Sequence, residues 1–182
     1  MRVSLRQTTP IPADHADQAN QPGQTDRTGP AGRGLDVVVA GAHGGAGVST
    51  LAALLPAVWD MGSLGPLLEL GRSPLRARGR PVVLAVRNTA VAARAATAAI
   101  GALAGWEERV AALAIVSDGG PESREAMARF ALLEGRVGGV VRVPHVRALR
   151  LAEDPSAVVL PGKVRQALGE LRRLAGRGPR AC

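Results

Sequence analysis

The stretch VVVAGAHGGAGVSTLAALL, residues 37–55, decides how the rest of the chain is read. Together with the two residues before it, its first part (LDVVVAG, residues 35–41) is a short β-branched run of the kind that fills a buried parallel strand. A glycine cluster ends that run. STLAALLPAVW then reads as a helix beginning near Ser49, which Pro56 kinks or shortens. In a glycine-rich turn between a buried strand and a helix, backbone N–H groups converge on an anion and the helix dipole adds to the attraction. Such a turn suits a phosphate.

Working outward, the next segment is rich in Gly, Pro and Arg (GSLGPLLELGRSPLRARGRP) and reads as a loop, with at most one turn or a short strand around Leu67 to Leu70. PVVLAVR, residues 81–87, is the second clear strand, and NTAVAARAATAAIGAL follows as an alanine-rich helix with Asn88 or Thr89 as its N-cap. A third strand is expected at 110–118, a helix from Glu122 to Leu133, a fourth strand in GGVVRVP, an Arg-rich turn, and a last helix from Lys163 to Ala175. Strands alternating with helices predict an α/β domain with a mainly parallel sheet flanked by helices, a three-layer Rossmann-like arrangement. The domain is expected at residues 35–176. Residues 1–34, rich in Gln, Thr, Pro, Asp and Gly and without apolar period, are expected to be a disordered tail. Residues 177–182 are expected to be a flexible basic one.

The 182 residues amount to one domain. Charge excess is a weak guide to function here. The net +8 divides into +1 over residues 1–34, +2 over 35–161 and +5 over 162–182, so most of it belongs to the end of the chain. Of the 23 basic residues all but Lys163 are arginine. The lone cysteine is Cys182, which excludes an internal disulfide and a cysteine-based zinc cluster and fits a reducing compartment. Neither a leader-like apolar run at the N-terminus nor a membrane-length apolar stretch is present, so a cytoplasmic location is expected.

Spacing in the glycine loop matches two fingerprints. In the first, AHGGAGVST aligns with a P-loop of the deviant form GKGGxGK[ST]: Gly44, Gly45 and Gly47 form the cradle and Ser49 takes the hydroxyl position for Mg²⁺. Both lysines are missing. His43 stands at the signature position and Val48 at the position of the lysine that reaches the β- and γ-phosphates, a loss that harms phosphoryl transfer more than binding by backbone amides. In the second, Gly41, Gly45 and Gly47 give the GxxxGxG of short-chain dehydrogenases. Those enzymes need a catalytic tyrosine. This chain has none, and no clear second strand ends in the acid that would hold a ribose. A serine-hydrolase elbow fails as well, because GVSTL lacks the second glycine of GxSxG.

On these residues the chain resembles the ParA/MinD superfamily of deviant P-loop ATPases, especially its CpaE/TadZ-like branch with a degenerate loop. PVVLAVRNTAVAARAA, ALAIVSD and VVRVPHVRALRLAEDPSAVVL are similar, in order, to later blocks of that superfamily. The GAHGGAGVST loop with RVPHVRALRLAEDP resembles more closely a group of small actinobacterial proteins, a likeness that brings no activity with it. The superfamily resemblance implies ATP or ADP with Mg²⁺ as cofactor. It places His43, Gly44, Gly45, Ala46, Gly47, Val48, Ser49 and Thr50 around the phosphates, with Ser49 on the metal. Ser117 and Asp118 fall where a base-contacting Asn is expected, and Pro144 and His145 flank the base. No acid at a strand end is evident after the first helix, Asp60 and Glu69 being poor candidates. The expectation is therefore a non-catalytic regulatory or scaffold protein that binds a nucleotide phosphate weakly or not at all, with a protein partner or a second copy of itself; a further alternative is a residual ATPase with a substitute cation.

Two alternatives follow from charge and amphipathicity. Arg72, Arg76, Arg78 and Arg80 lie within nine residues without an acid, and with the basic tail they suggest an adaptor docking on DNA or an acidic partner. The last helix sets Val164, Ala167, Leu168, Leu171 and Leu174 on one face. That face is expected to pack on the sheet, the alternative being an anionic membrane.

Overall fold

The computed structural model describes residues 36–71 and 75–177. The tail expected at 1–34, the tail expected at 177–182 apart from Arg177, and Arg72 of the arginine cluster lie outside the described residues.

Five strands form one all-parallel sheet: β1 (Val37–Gly41), β2 (Val58–Ser63), β3 (Val82–Arg87), β4 (Val110–Val116) and β5 (Val140–Val143), in the order β2-β1-β3-β4-β5. Parallel neighbours need crossovers, and each one here contains a helix. These are α1 (Val48–Leu54), α2 (Gly65–Glu69), α3 (Ala90–Gly105) and α4 (Arg124–Ala131), followed after β5 by α5 (Arg147–Leu151) and α6 (Gly162–Ala175). Alternation along the strands divides the core. Val38, Ala40, Val82, Leu84 and Leu113 pack with α3 and α4 on one face, whereas Val37, Val39, Val83, Ala85 and Val141 pack with α1 and α6 on the other. This is the three-layer α/β fold that the alternating pattern predicts.

Local chemistry explains most boundaries. Thr89 caps α3, its hydroxyl accepting from Ala92 N–H, and the buried face of that helix is mostly alanine, which lets it lie close on the sheet. Ser123 caps α4 in the same way. Helix α1 stops before Pro56, as expected. The apolar face of α6 is buried as expected: Leu171 is fully enclosed, and Val164, Ala167, Leu168 and Leu174 join the same core. No helix among the described residues is long and apolar enough to cross a membrane.

The sequence reading misses β2. The helix assigned through Trp59 ends at Leu54, and VWDMGS runs as an edge strand beside β1. Its central residues Trp59, Asp60 and Met61 are all exposed, so the strand lacks the half-buried alternation by which a strand is recognised. The strand considered near Leu67 is instead the single helical turn α2, with Pro66 in its first turn. The Arg-rich turn after β5 contains α5 and a short 3₁₀ turn, Pro155–Ala157. Asp154 caps that turn. The hydroxyl and then the N–H of Ser156 donate to its carboxylate, at 2.6 and 2.9 Å, and hold the carboxyl below the usual carboxylate range.

Candidate functional site

In a doubly wound sheet of order 2-1-3-4-5 the ligand crevice lies at the carboxyl ends of the strands, where the chain reverses direction between β1 and β3. The glycine loop, residues 42–47, sits at that point. Gly45 and Gly47 hold left-handed backbone, φ 73° and 90°, which bends the chain back to start α1. Gly41 serves a different need: a Cβ there would meet Val48 Cγ2 at 2.8 Å and the His43 carbonyl at 3.1 Å. Loop and strand end are packed that closely because the Val48 side chain turns inward. It belongs to the core with Val39, Ala46 and Leu51.

Above this packed base the loop is open. Gly44, Gly45 and Ser49 are exposed and Thr50 is half-buried. Among the described residues, none of the backbone N–H groups from Gly44 through Thr50 donates to a carbonyl or side chain, the first bond of α1 being Leu51 N–H to Gly47 O at 2.9 Å. Unpaired amides of this kind face solvent or an anion.

His43 braces the loop from beside. Its Nε2 accepts from Arg87 N–H at 3.2 Å, and Nδ1 lies 2.8 Å from the Gly44 carbonyl. A donor on one nitrogen and an acceptor on the other put the ring proton on Nδ1. Both ring nitrogens are therefore engaged within the loop. Arg87 completes the brace, its Nε donating to the Gly45 carbonyl at 2.8 Å. No carboxylate among the described residues pairs with the guanidinium. The register Gly41↔Ala85 explains the position, since it carries β3 two residues past the end of β1.

The third wall is the turn after β4. Val116 lies against Gly47, 3.6 Å from where a Cβ would stand. Asn88, the one buried polar residue among those described, clamps the turn: its Oδ1 accepts from Asp118 N–H at 3.2 Å and its Nδ2 donates to the Gly120 carbonyl at 3.3 Å. Asp118 turns its carboxylate onto Gly120 N–H at 2.9 Å. Ser117 accepts from Gly119 N–H, and the ring of His145 lies over Gly119, leaving about a van der Waals contact for that glycine alone. The fold thus gathers His43 through Thr50 with Ser117, Asp118 and His145 at one end of the sheet. Pro144 lies beside His145, with no polar contact of its own.

Arg87 and Asn88 are what sequence reasoning missed. Arg87 ends a strand that the sequence makes legible and Asn88 follows it, but only the register shows that they border the loop. Carboxylates are absent from the strand ends beside β1: β2 ends at Ser63 and β3 at Arg87. Asp60 sits mid-strand on the exposed edge, where its carboxylate accepts from Gly62 N–H, and Glu69 ends α2. No group of three or more His, Cys, Asp or Glu among the described residues is arranged to hold a metal ion. In comparisons with known proteins, no family model and no curated protein matches this chain.

Proposed function

We propose that this protein is a non-hydrolytic phosphate-binding protein that acts as a regulatory or scaffold partner, with a degenerate P-loop as its ligand site. One observation carries the reading: the unpaired amides of Gly44 through Thr50 lie beside the guanidinium of Arg87, whereas Val48 is folded into the core. Amides and a fixed guanidinium bind a phosphate group. Arg87 supplies the positive charge that a lysine at position 48 would have supplied, but from the next strand and tethered to Gly45.

The same residues do not fit catalysis. Phosphoryl transfer needs charge neutralisation at the leaving oxygen and a group that orients the nucleophile. Neither strand beside β1 ends in a carboxylate, and the Ser49 hydroxyl alone is a poor donor set for Mg²⁺, which usually takes one or two carboxylates along with phosphates and water. The loop accordingly binds ATP or ADP through phosphate and leaves it intact, and His43 serves as a brace for the loop.

Isothermal titration with ATP, ADP and GTP tests this. Weak binding, in the range of about 0.1 to 1 mM, is expected for the triphosphate, weakened a further five- to tenfold or so by Arg87→Ala. Absence of heat at millimolar nucleotide removes the phosphate site and leaves a scaffold.

A further inference from the structure

The arginine cluster read from the sequence separates into two parts in the fold. Arg80 is spent on structure: its guanidinium lies 4.8 Å above the Trp59 ring and 3.7 Å from the Asp36 carboxylate. Arg76 and Arg78 are not. They line a cavity of about 280 Å³ with Leu75, Trp106 and Glu108, at the amino ends of β3 and β4 and so at the opposite end of the sheet from the glycine loop. Neither arginine has a carboxylate partner among the described residues.

The segment before β3 is built to hold this arrangement. Leu75 and Ala77 are buried, whereas Arg76 and Arg78 are exposed and line the same cavity. Ala77 N–H donates to Glu108 Oε1 at 2.9 Å, which ties the segment to the turn carrying Trp106. Both turns bend through left-handed backbone at residues other than glycine, Arg78 at φ 52° and Glu107 at φ 60°. Trp106 keeps 52% of its surface exposed and lines the cavity.

We infer that this cavity binds a nucleoside phosphate. The chemistry is complementary in three places. The exposed indole offers a stacking face for a base, a contact worth about tenfold or more in affinity. Arg76 and Arg78 offer paired donors for the phosphate. Glu108, with Oε1 committed to Ala77, has Oε2 left to accept from a base amino or imino group. The volume stands just below the range of roughly 300–1,000 Å³ that holds drug-sized ligands, a size that suits one nucleoside phosphate unit. That unit is either a free mononucleotide or one residue of a single strand. The inference is independent of the glycine loop.

Nuclear magnetic resonance of the unaltered protein reads it out, because the two tryptophan indole N–H signals, assigned with Trp59→Phe, report the two ends of the basic segment separately. Titration with AMP and with a ten-residue single-stranded oligonucleotide is expected to shift the Trp106 signal saturably and the Trp59 signal far less. Arg76→Ala with Arg78→Ala is expected to weaken binding about tenfold or more, while Arg87→Ala leaves it within about twofold. Tighter binding of AMP than of the oligonucleotide per site assigns the free nucleotide; tighter, strongly salt-dependent binding of the oligonucleotide assigns the strand. An unmoved Trp106 signal with both ligands overturns the inference. So does an equal shift with poly-glutamate, which would assign an acidic protein instead. Loss of the glycine-loop site alone, seen as lost Arg87-dependent binding of ATP, leaves the inference standing.

Discussion

The two ends of the parallel sheet solve the same bending problem with different residues. At the carboxyl end, each left-handed position in the turns after β1 and β4 is a glycine: Gly45, Gly47 and Gly119. At the amino end Gly79 is left-handed too, but so are Ala57, Arg78 and Glu107 in the turns leading into β2, β3 and β4, although each of these three carries a Cβ. The carboxyl-end turns thus carry no left-handed residue with a Cβ and are braced by the side chains of Asn88, His43 and Arg87. The amino-end turns store strain of about 1–2 kcal/mol at each such residue and are held by main-chain bonds such as Arg80 N–H to the Ala77 carbonyl, together with the tie from Ala77 N–H to Glu108. A glycine-lined end leaves its amides bare for an anion, and an end made of larger residues places side chains around a cavity.

Substitutions can break this contrast. The largest effect is expected for Val48→Lys, which restores the residue type of an active P-loop. Val48 is buried among apolar side chains, so an ammonium there is expected to lower stability by about 2–4 kcal/mol, read as a shifted denaturant midpoint. Nucleotide turnover is not expected to appear, because the missing acid stays missing. Asn88→Ala comes next. It removes both bonds to the turn after β4 and leaves their backbone partners poorly solvated, at a cost of about 2 kcal/mol by the same measurement, with faster hydrogen exchange at Asp118. The smallest effect has the opposite sign. Ala57→Gly relieves left-handed strain at an exposed turn, less the entropy that glycine adds to the unfolded chain, and is expected to raise stability by about 0.5 kcal/mol. A loss there would mean that the amino-end turns are not strained.

What the sequence reveals divides along the same line. The fold class, four of the five strands, the Thr89 cap and the buried face of α6 are legible because each rests on local periodicity or capping chemistry. β2 is not, since its exposed centre carries no alternation. The glycine loop announces itself in ten consecutive residues. Arg87 does not, because its place beside Gly45, 42 residues earlier, depends on the register of two strands. The amino-end cavity is less legible still: it joins Arg76 and Arg78 to Trp106 and Glu108 through a tie spanning 31 residues, and none of the residue types involved forms a motif.

The central claim is that the glycine loop binds phosphate without transferring it. Phosphate release from ATP with Mg²⁺ tests this most directly, measured side by side for the unaltered protein, Ser49→Ala and Arg87→Ala. The account predicts release indistinguishable from the protein-free rate in all three. Turnover by the unaltered protein that either substitution abolishes would contradict it, and its loss in Arg87→Ala would make Arg87 the cation of a working active site.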